Sequence, residues 1–300
     1  MTVFYHPLYS ALELPLRHRF PIAKYKLLKQ EIAELGFTDF ISPNKATNEQ
    51  LQLCHSHEYV ERFISGQLTD KEIKKMGFPW SNQLVERTLF SVGASIQASE
   101  YALKTQLAVN LSGGYHHAYN AYGSGFCIFN DLAVAAAHLI NTEQASTVLI
   151  FDCDVHQGDG TAEICDSLDG VISCSIHCQQ NFPRLKQHSD YDFSLNTGCS
   201  DNEYLKTVAN ALAFCIRLHQ PDIILYNAGA DICSQDELGY FDVSLEGVYQ
   251  RDSLVLATCK QHSIPLMCAL GGGYQRDTQK LVEVHKLLFQ AIVDLYPHLV

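Results

Sequence analysis

Apolar residues in this chain gather in short unbroken runs: LAVNL at 107–111, TVLIF at 147–151, VISCSI at 171–176, DIILY at 222–226 and IPLMCAL at 264–270. Runs of this length, rich in Val, Ile and Leu, predict strands buried on both faces. Longer helix-compatible stretches separate them, at Ser81–Lys104, Asp131–Ile140, Asp201–His219 and Leu245–His262. Strands alternating with helices predict an α/β fold, a mostly parallel sheet flanked by helices on both faces. No Pro/Gly/Ser-rich linker, charge block or internal repeat divides the 300 residues, so a single domain over 1–300 is expected.

Polar or glycine-rich text follows four of these runs at once. SGGYHHAYNAYGSGFC follows LAVNL, DCDVHQGDG follows TVLIF, NAGADICSQDELG follows DIILY, and GGGYQRD follows IPLMCAL. Working residues in such folds collect beyond the carboxyl ends of the strands, so these loops predict one shared rim. The second loop is the densest, with Asp152, Asp154, His156 and Asp159 close together. Three carboxylates and an imidazole repel and desolvate one another unless something cationic sits among them.

An extended strand end turns Asp152, Asp154 and His156 to one side and Cys153 and Val155 to the other, so Cys153 reads as packing. Catalytic zinc takes three ligands from His, Asp and Glu and leaves a position for water. Two of the aspartates with His156 would serve locally, or Asp231 of the third loop would replace one of them. Standing alone, Asp231 would read as a turn or helix-cap aspartate. His116 and His117 alone would read as an exposed loop pair. Beside excess carboxylates they become tuned acid/base groups, with Asp152 and Asp159 free to orient them if neither binds metal. Tyr274 follows three glycines, a run suited to bringing a phenol close to a crowded site, with a core tyrosine as the alternative. Phe126, Phe182 and Leu238, taken singly, read as core.

A composition of 47% hydrophobic and 18% charged residues indicates a globular chain with a large core. The net charge of −12 argues against a nucleic-acid partner and would favour cationic ligands such as lysine-rich tails or polyamines. The first twenty residues lack a basic start followed by an apolar core, and no apolar run approaches transmembrane length, so a cytoplasmic protein without membrane contact is expected. Eleven cysteines are an odd number without CxxC or zinc-finger spacing, and most of them are expected as reduced core thiols. No P-loop, GxGxxG after a strand, HExxH or GxSxG elbow is found.

Together the loops resemble the histone deacetylase superfamily, especially its bacterial and class IV-like members. The matching text is HRFPIAKY at 18–25, CHSHEYVERF at 54–63, GGYHHAY at 113–119, GFCIFND at 125–131, DCDVHQGDG at 152–160, NAGAD at 227–231 and LGGGYQRD at 270–277. This resemblance, running nearly end to end, implies the arginase/deacetylase fold with about eight strands. It implies a zinc-dependent amidohydrolase that removes acetyl or longer acyl groups from a lysine-like amine. Asp154, His156 and Asp231 would hold Zn2+, or Fe2+ or Co2+ in its place. His116 would be steered by Asp152 and His117 by Asp159, with His117 as proton shuttle and Tyr274 as oxyanion donor. Gly125, Phe126, Phe182, Leu238 and Gly272 would line a narrow acyl-lysine tunnel. A structural K+ would lie near Asp152, Asp154, His156, Ser175 and Ile176.

The implied substrates are acyl-lysine peptides or proteins and small acylated amines, including acetylated polyamines. The chain departs from larger members in having no long rim insertions and no acidic residue matching the one that grips a peptide backbone at the tunnel mouth. Two rivals remain. A two-metal ureohydrolase on the same fold would need an acidic residue where Gly158 stands. A binding protein would keep the pocket for an acyl group or polyamine without turnover.

Overall fold

Eight parallel strands lie side by side among the described residues, 1–298, of this computed structural model. They are β1 (Thr2–Phe4), β2 (Phe40–Ile41), β3 (Leu107–Asn110), β4 (Val148–Asp152), β5 (Val171–Cys178), β6 (Tyr191–Leu195), β7 (Ile223–Asn227) and β8 (Leu266–Ala269). Their order across the sheet is β2-β1-β3-β8-β7-β4-β5-β6. Leu299 and Val300, the last residues of the expected domain, lie outside the described residues.

The helices are α1 (Lys24–Ala33), α2 (Asn48–Leu51), α3 (His57–Ile64), α4 (Asp70–Met76), α5 (Asn82–Thr105), α6 (Asp131–Asn141), α7 (Asp159–Cys165), α8 (Asp201–His219), α9 (Leu245–His262) and α10 (Thr278–Leu295). One layer is formed by α5, α6 and α7, and a second by α1, α10, α9 and α8. Cover on both sides explains why β4 and β7 are buried at every position and read as continuous apolar runs. The edge strand β6 instead alternates between half-buried and exposed positions before the buried Leu195. All eleven cysteines are free and buried, as expected. No helix among the described residues is long and apolar enough to cross a membrane.

The order of the strands decides where chemistry gathers. Because β3, β8, β7 and β4 are consecutive neighbours, the four polar loops that leave their carboxyl ends meet along one stretch of the sheet edge.

Candidate active site

Beyond Asp152 the chain leaves the sheet, and Asp154 and His156 meet Asp231 from the loop after β7. One ligand atom from each lies within 4.8 Å of the others, and all three residues are buried. His156 Nδ1 is 3.0 Å from Asp154 Oδ1 and 3.2 Å from Asp231 Oδ2. The remaining oxygens are engaged elsewhere: Asp231 Oδ1 accepts the Val155 N–H at 2.9 Å, and Asp154 Oδ2 accepts the Gly272 N–H at 2.8 Å. Metal–ligand bonds of roughly 2.1 Å in tetrahedral array place ligand atoms about 3.4 Å apart, so this donor set fits a divalent ion with one oxygen from each aspartate.

The electrostatics point the same way. Burial and the charge of Asp154 push Asp231 up to about 7. Burial alone would lower His156, but the two aspartates outweigh it and raise the imidazole to about 10. A proton on His156 thus reconciles two buried carboxylates, the role a metal dication fills more completely.

Buried Arg251 ties the two ligand loops together from beneath. Its Nη1 donates to Gly229 O at 2.6 Å and to Cys153 O at 3.4 Å, while Nε donates to Asp252 at 3.0 Å. Asp252 also accepts the Tyr226 hydroxyl at 2.6 Å. The Cys153 side chain is wholly buried and takes no part in the ligand group, in keeping with a packing role.

His116 and His117 ride on the loop after β3, where the Gly114 and Tyr115 N–H groups donate to buried Asp131 at the start of α6, at 3.2 and 2.8 Å. A regular strand would point adjacent side chains apart. This loop instead brings their Nε2 atoms to 3.1 Å. His116 Nδ1 is 2.6 Å from Asp152 Oδ2, and His117 Nδ1 is 2.6 Å from Asp159 Oδ1. Burial opposes charge on both rings, yet they diverge. Asp152 and Asp154 overcome it at His116 and raise that ring to about 9. At His117, burial and the neighbouring His116 outweigh Asp159 and lower the ring to about 4. The two rings of the pair thus differ in how readily they hold a proton, His116 more and His117 less than an ordinary imidazole.

A cavity of about 270 Å³ opens above this group, lined by His117, His156 and Tyr274 together with Gly125, Phe126, Phe182 and Leu238. Phe182 is 44% exposed, which places it at the mouth rather than in the core. Its ring meets His117 edge-on at 4.8 Å, and the Tyr274 ring lies 6.2 Å from that of His156. Asn181 and Tyr240 complete the walls and carried no local sequence signal.

Gly272, expected on the tunnel wall, lines a small adjoining crevice together with Phe126 and Tyr274 and backs onto the Asp154 and Asp231 carboxylates. A Cβ there would come within 2.1 Å of Asp231 Oδ2 and 2.5 Å of Asp154 Oδ2. Ser175 pairs in register with Asp152, which brings Ser175 and Ile176 alongside the metal loop.

A family model described as the histone deacetylase domain matches residues 18–288. The chain belongs to the histone deacetylase family. As a member it is a deacetylase-type hydrolase. Histone deacetylase 2 of Arabidopsis thaliana is 27% identical over 93% of this chain and 76% of its own length. An uncharacterized protein of Picosynechococcus sp. is 41% identical, covering 98% of this chain and 99% of its own. The solved HDA15 HD domain shares the fold, with a TM-score of 0.81 at 20% identity over 98% of this chain and 90% of that one.

Proposed function

We propose that this histone deacetylase family protein is a single-metal deacylase that hydrolyses the amide of an acylated, lysine-like amine. The observation that carries the reading is the convergence of the Asp154–His156–Asp231 group, the His117–Asp159 pair and Tyr274 on one apolar cavity. Asp154, His156 and Asp231 would hold Zn2+, with Fe2+ or Co2+ as substitutes, and a K+ would sit near Asp152 and Ser175. Such a divalent ion supplies Lewis acidity toward the acyl oxygen and makes water acidic enough to attack at neutral pH.

The chain supplies the rest. Burial and His116 lower the pKa of His117 and Asp159 orients it through Nδ1, which leaves Nε2 as the nitrogen that takes a proton from the attacking water and returns it to the departing amine. The Tyr274 hydroxyl donates to the acyl oxygen as negative charge develops there. His116 is oriented by Asp152, 2.6 Å from its Nδ1, and stands beside His117 at the reacting centre. Amine and carboxylate leave as products.

The cavity walls favour lysine over polyamines. Phe126, Phe182, Leu238 and Tyr240 suit a butylene stem, and no carboxylate lines the walls to receive a polyamine's further ammonium groups. The ureohydrolase alternative is disfavoured sterically, since even a Cβ at Gly158 would lie 2.6 Å from Asp152 Oδ2.

The test is Tyr274→Phe, assayed on acetyl-lysine peptides and acetylated polyamines with metal content measured alongside. Loss of about 10²- to 10³-fold in kcat with metal and fold retained is expected. A metal-loaded wild-type protein that turns over no acylated amine refutes the reading and leaves the binding protein.

A further inference from the structure

Asp236 is buried, and both of its oxygens are spent on backbone. Oδ2 accepts the Tyr274 N–H at 2.6 Å, while Oδ1 accepts the N–H groups of Leu238 and Gly239 at 2.8 and 3.0 Å. One carboxylate thereby joins the segment carrying Tyr274 to the segment carrying Leu238 of the cavity wall. The next residue, Glu237, acts on the opposite side of Tyr274. Its carboxylate takes Arg19 at 2.8 Å and Arg276 at 3.0 Å, and Arg19 Nη2 donates to the Tyr274 carbonyl at 3.3 Å. Tyr274 is therefore held through its N–H and its C=O by a single dipeptide and that dipeptide's arginine partner.

The need for such a hold lies upstream. Gly271, Gly272 and Gly273 precede Tyr274, and Gly271 and Gly273 adopt φ of +68° and +144°, conformations that favour glycine. A run without side chains cannot by itself fix the height of the phenol that follows it. A donor misplaced by about 1 Å loses on the order of 10²-fold in rate.

We propose that Asp236 is a positioning residue for Tyr274, setting the place of its hydroxyl through the Tyr274 backbone N–H. The inference rests on the reading of Tyr274 as oxyanion donor. Asp236→Asn tests it with almost no change of shape. The amide oxygen stays with the Leu238 and Gly239 donors, which leaves the NH2 group facing the Tyr274 N–H, donor against donor.

The expected result is a fall in kcat of about 10- to 100-fold with KM little changed. In a Tyr274→Phe background, the same substitution should leave kcat where it was, since the hydroxyl being positioned is gone. An equal loss in both backgrounds, or a lowered unfolding midpoint with kcat per metal-loaded molecule intact, overturns the proposal.

Glu237→Gln, at the surface, provides a second variant that puts folding at little risk. It should lower kcat by a smaller factor and again only when Tyr274 is present, and an equal loss in both backgrounds counts against the tether. Tyr274→Phe alone separates the two levels. If it keeps wild-type kcat, the oxyanion reading fails and the proposal falls with it. If it loses kcat while Asp236→Asn does not, only the proposal fails.

Discussion

Gly272→Ala adds one methyl group and should remove the metal. The backbone of Gly272 is outside the left-handed region, so the demand for glycine here is steric. The new Cβ would sit 2.1 Å from Asp231 Oδ2 and 2.5 Å from Asp154 Oδ2, where ordinary contact begins at about 3.4 Å. Asp231 Oδ2 would have to retreat by more than about 1 Å, while metal–ligand distances tolerate only about 0.2 Å. Neither carboxylate has room to yield. Both are buried, Asp231 Oδ1 is bound to Val155 N–H, and Asp154 backs onto Gly229, where even a Cβ would lie 2.6 Å from its Cα. Metal affinity should fall at least 10²-fold, or about 3 kcal/mol. Competition against a chelator of known affinity, with elemental analysis of the recovered protein, measures this. A Gly272→Ala protein that keeps wild-type metal affinity and changes only KM would refute the steric argument and restore Gly272 to the tunnel wall.

Elemental analysis of active wild-type protein should find one transition metal per chain, and Asp231→Ala should lose metal and activity together; two tightly bound ions would revive the ureohydrolase. His117→Ala should keep its metal and lose at least about 10²-fold in kcat, more than His116→Ala, and a His117→Ala enzyme with near wild-type kcat removes the shuttle. Away from the site, the hydrogen bond from Arg62, with help from Thr69, holds Glu72 at about 2 against an ordinary 4.5. A carboxyl depressed in the folded state stabilises fully above its unfolded pKa and loses that contribution as pH falls through the folded one. Glu72→Gln should therefore cost up to about 1 kcal/mol near neutrality. Urea midpoints of the two proteins should converge as pH drops from about 4.5 toward 2, and a gap independent of pH contradicts the assignment.

The central strands were legible because each is an uninterrupted apolar run, and helices α5, α6, α8 and α9 stand within a residue or so of their expected ranges. The edges were not. Strands β1 and β2 have three and two residues, too few to show a period, and β6 mixes Asp192 and Ser194 into its pattern. Helix α10 was missed although its period is clear, with Leu281, Val284, Leu288 and Ile292 buried behind the Asp277 cap. Asp152, Asp154, His156, Asp231 and the His116–His117 pair were visible because they stand in polar text that follows strands at once, whereas Asn181 and Tyr240 of the cavity wall do not. Arg251 and Asp236 were not visible in these roles, because a buried charge takes its meaning from partners distant in the chain.

The last strand in chain order, β8, lies between β3 and β7. Without it the sheet is two pieces, β2-β1-β3 and β7-β4-β5-β6, with His116 and His117 on the first and every proposed metal ligand on the second. During synthesis, all three ligands have emerged once Asp231 is out, whereas no strand pairing joins their part of the sheet to that of His117 until β8 pairs on both sides. Until that moment β3 and β7 present bare strand edges, the surfaces on which nascent chains pair wrongly. A product cut short before residue 266 would retain the three proposed ligands while lacking the closing strand, Tyr274 and the Gly272 N–H that Asp154 accepts.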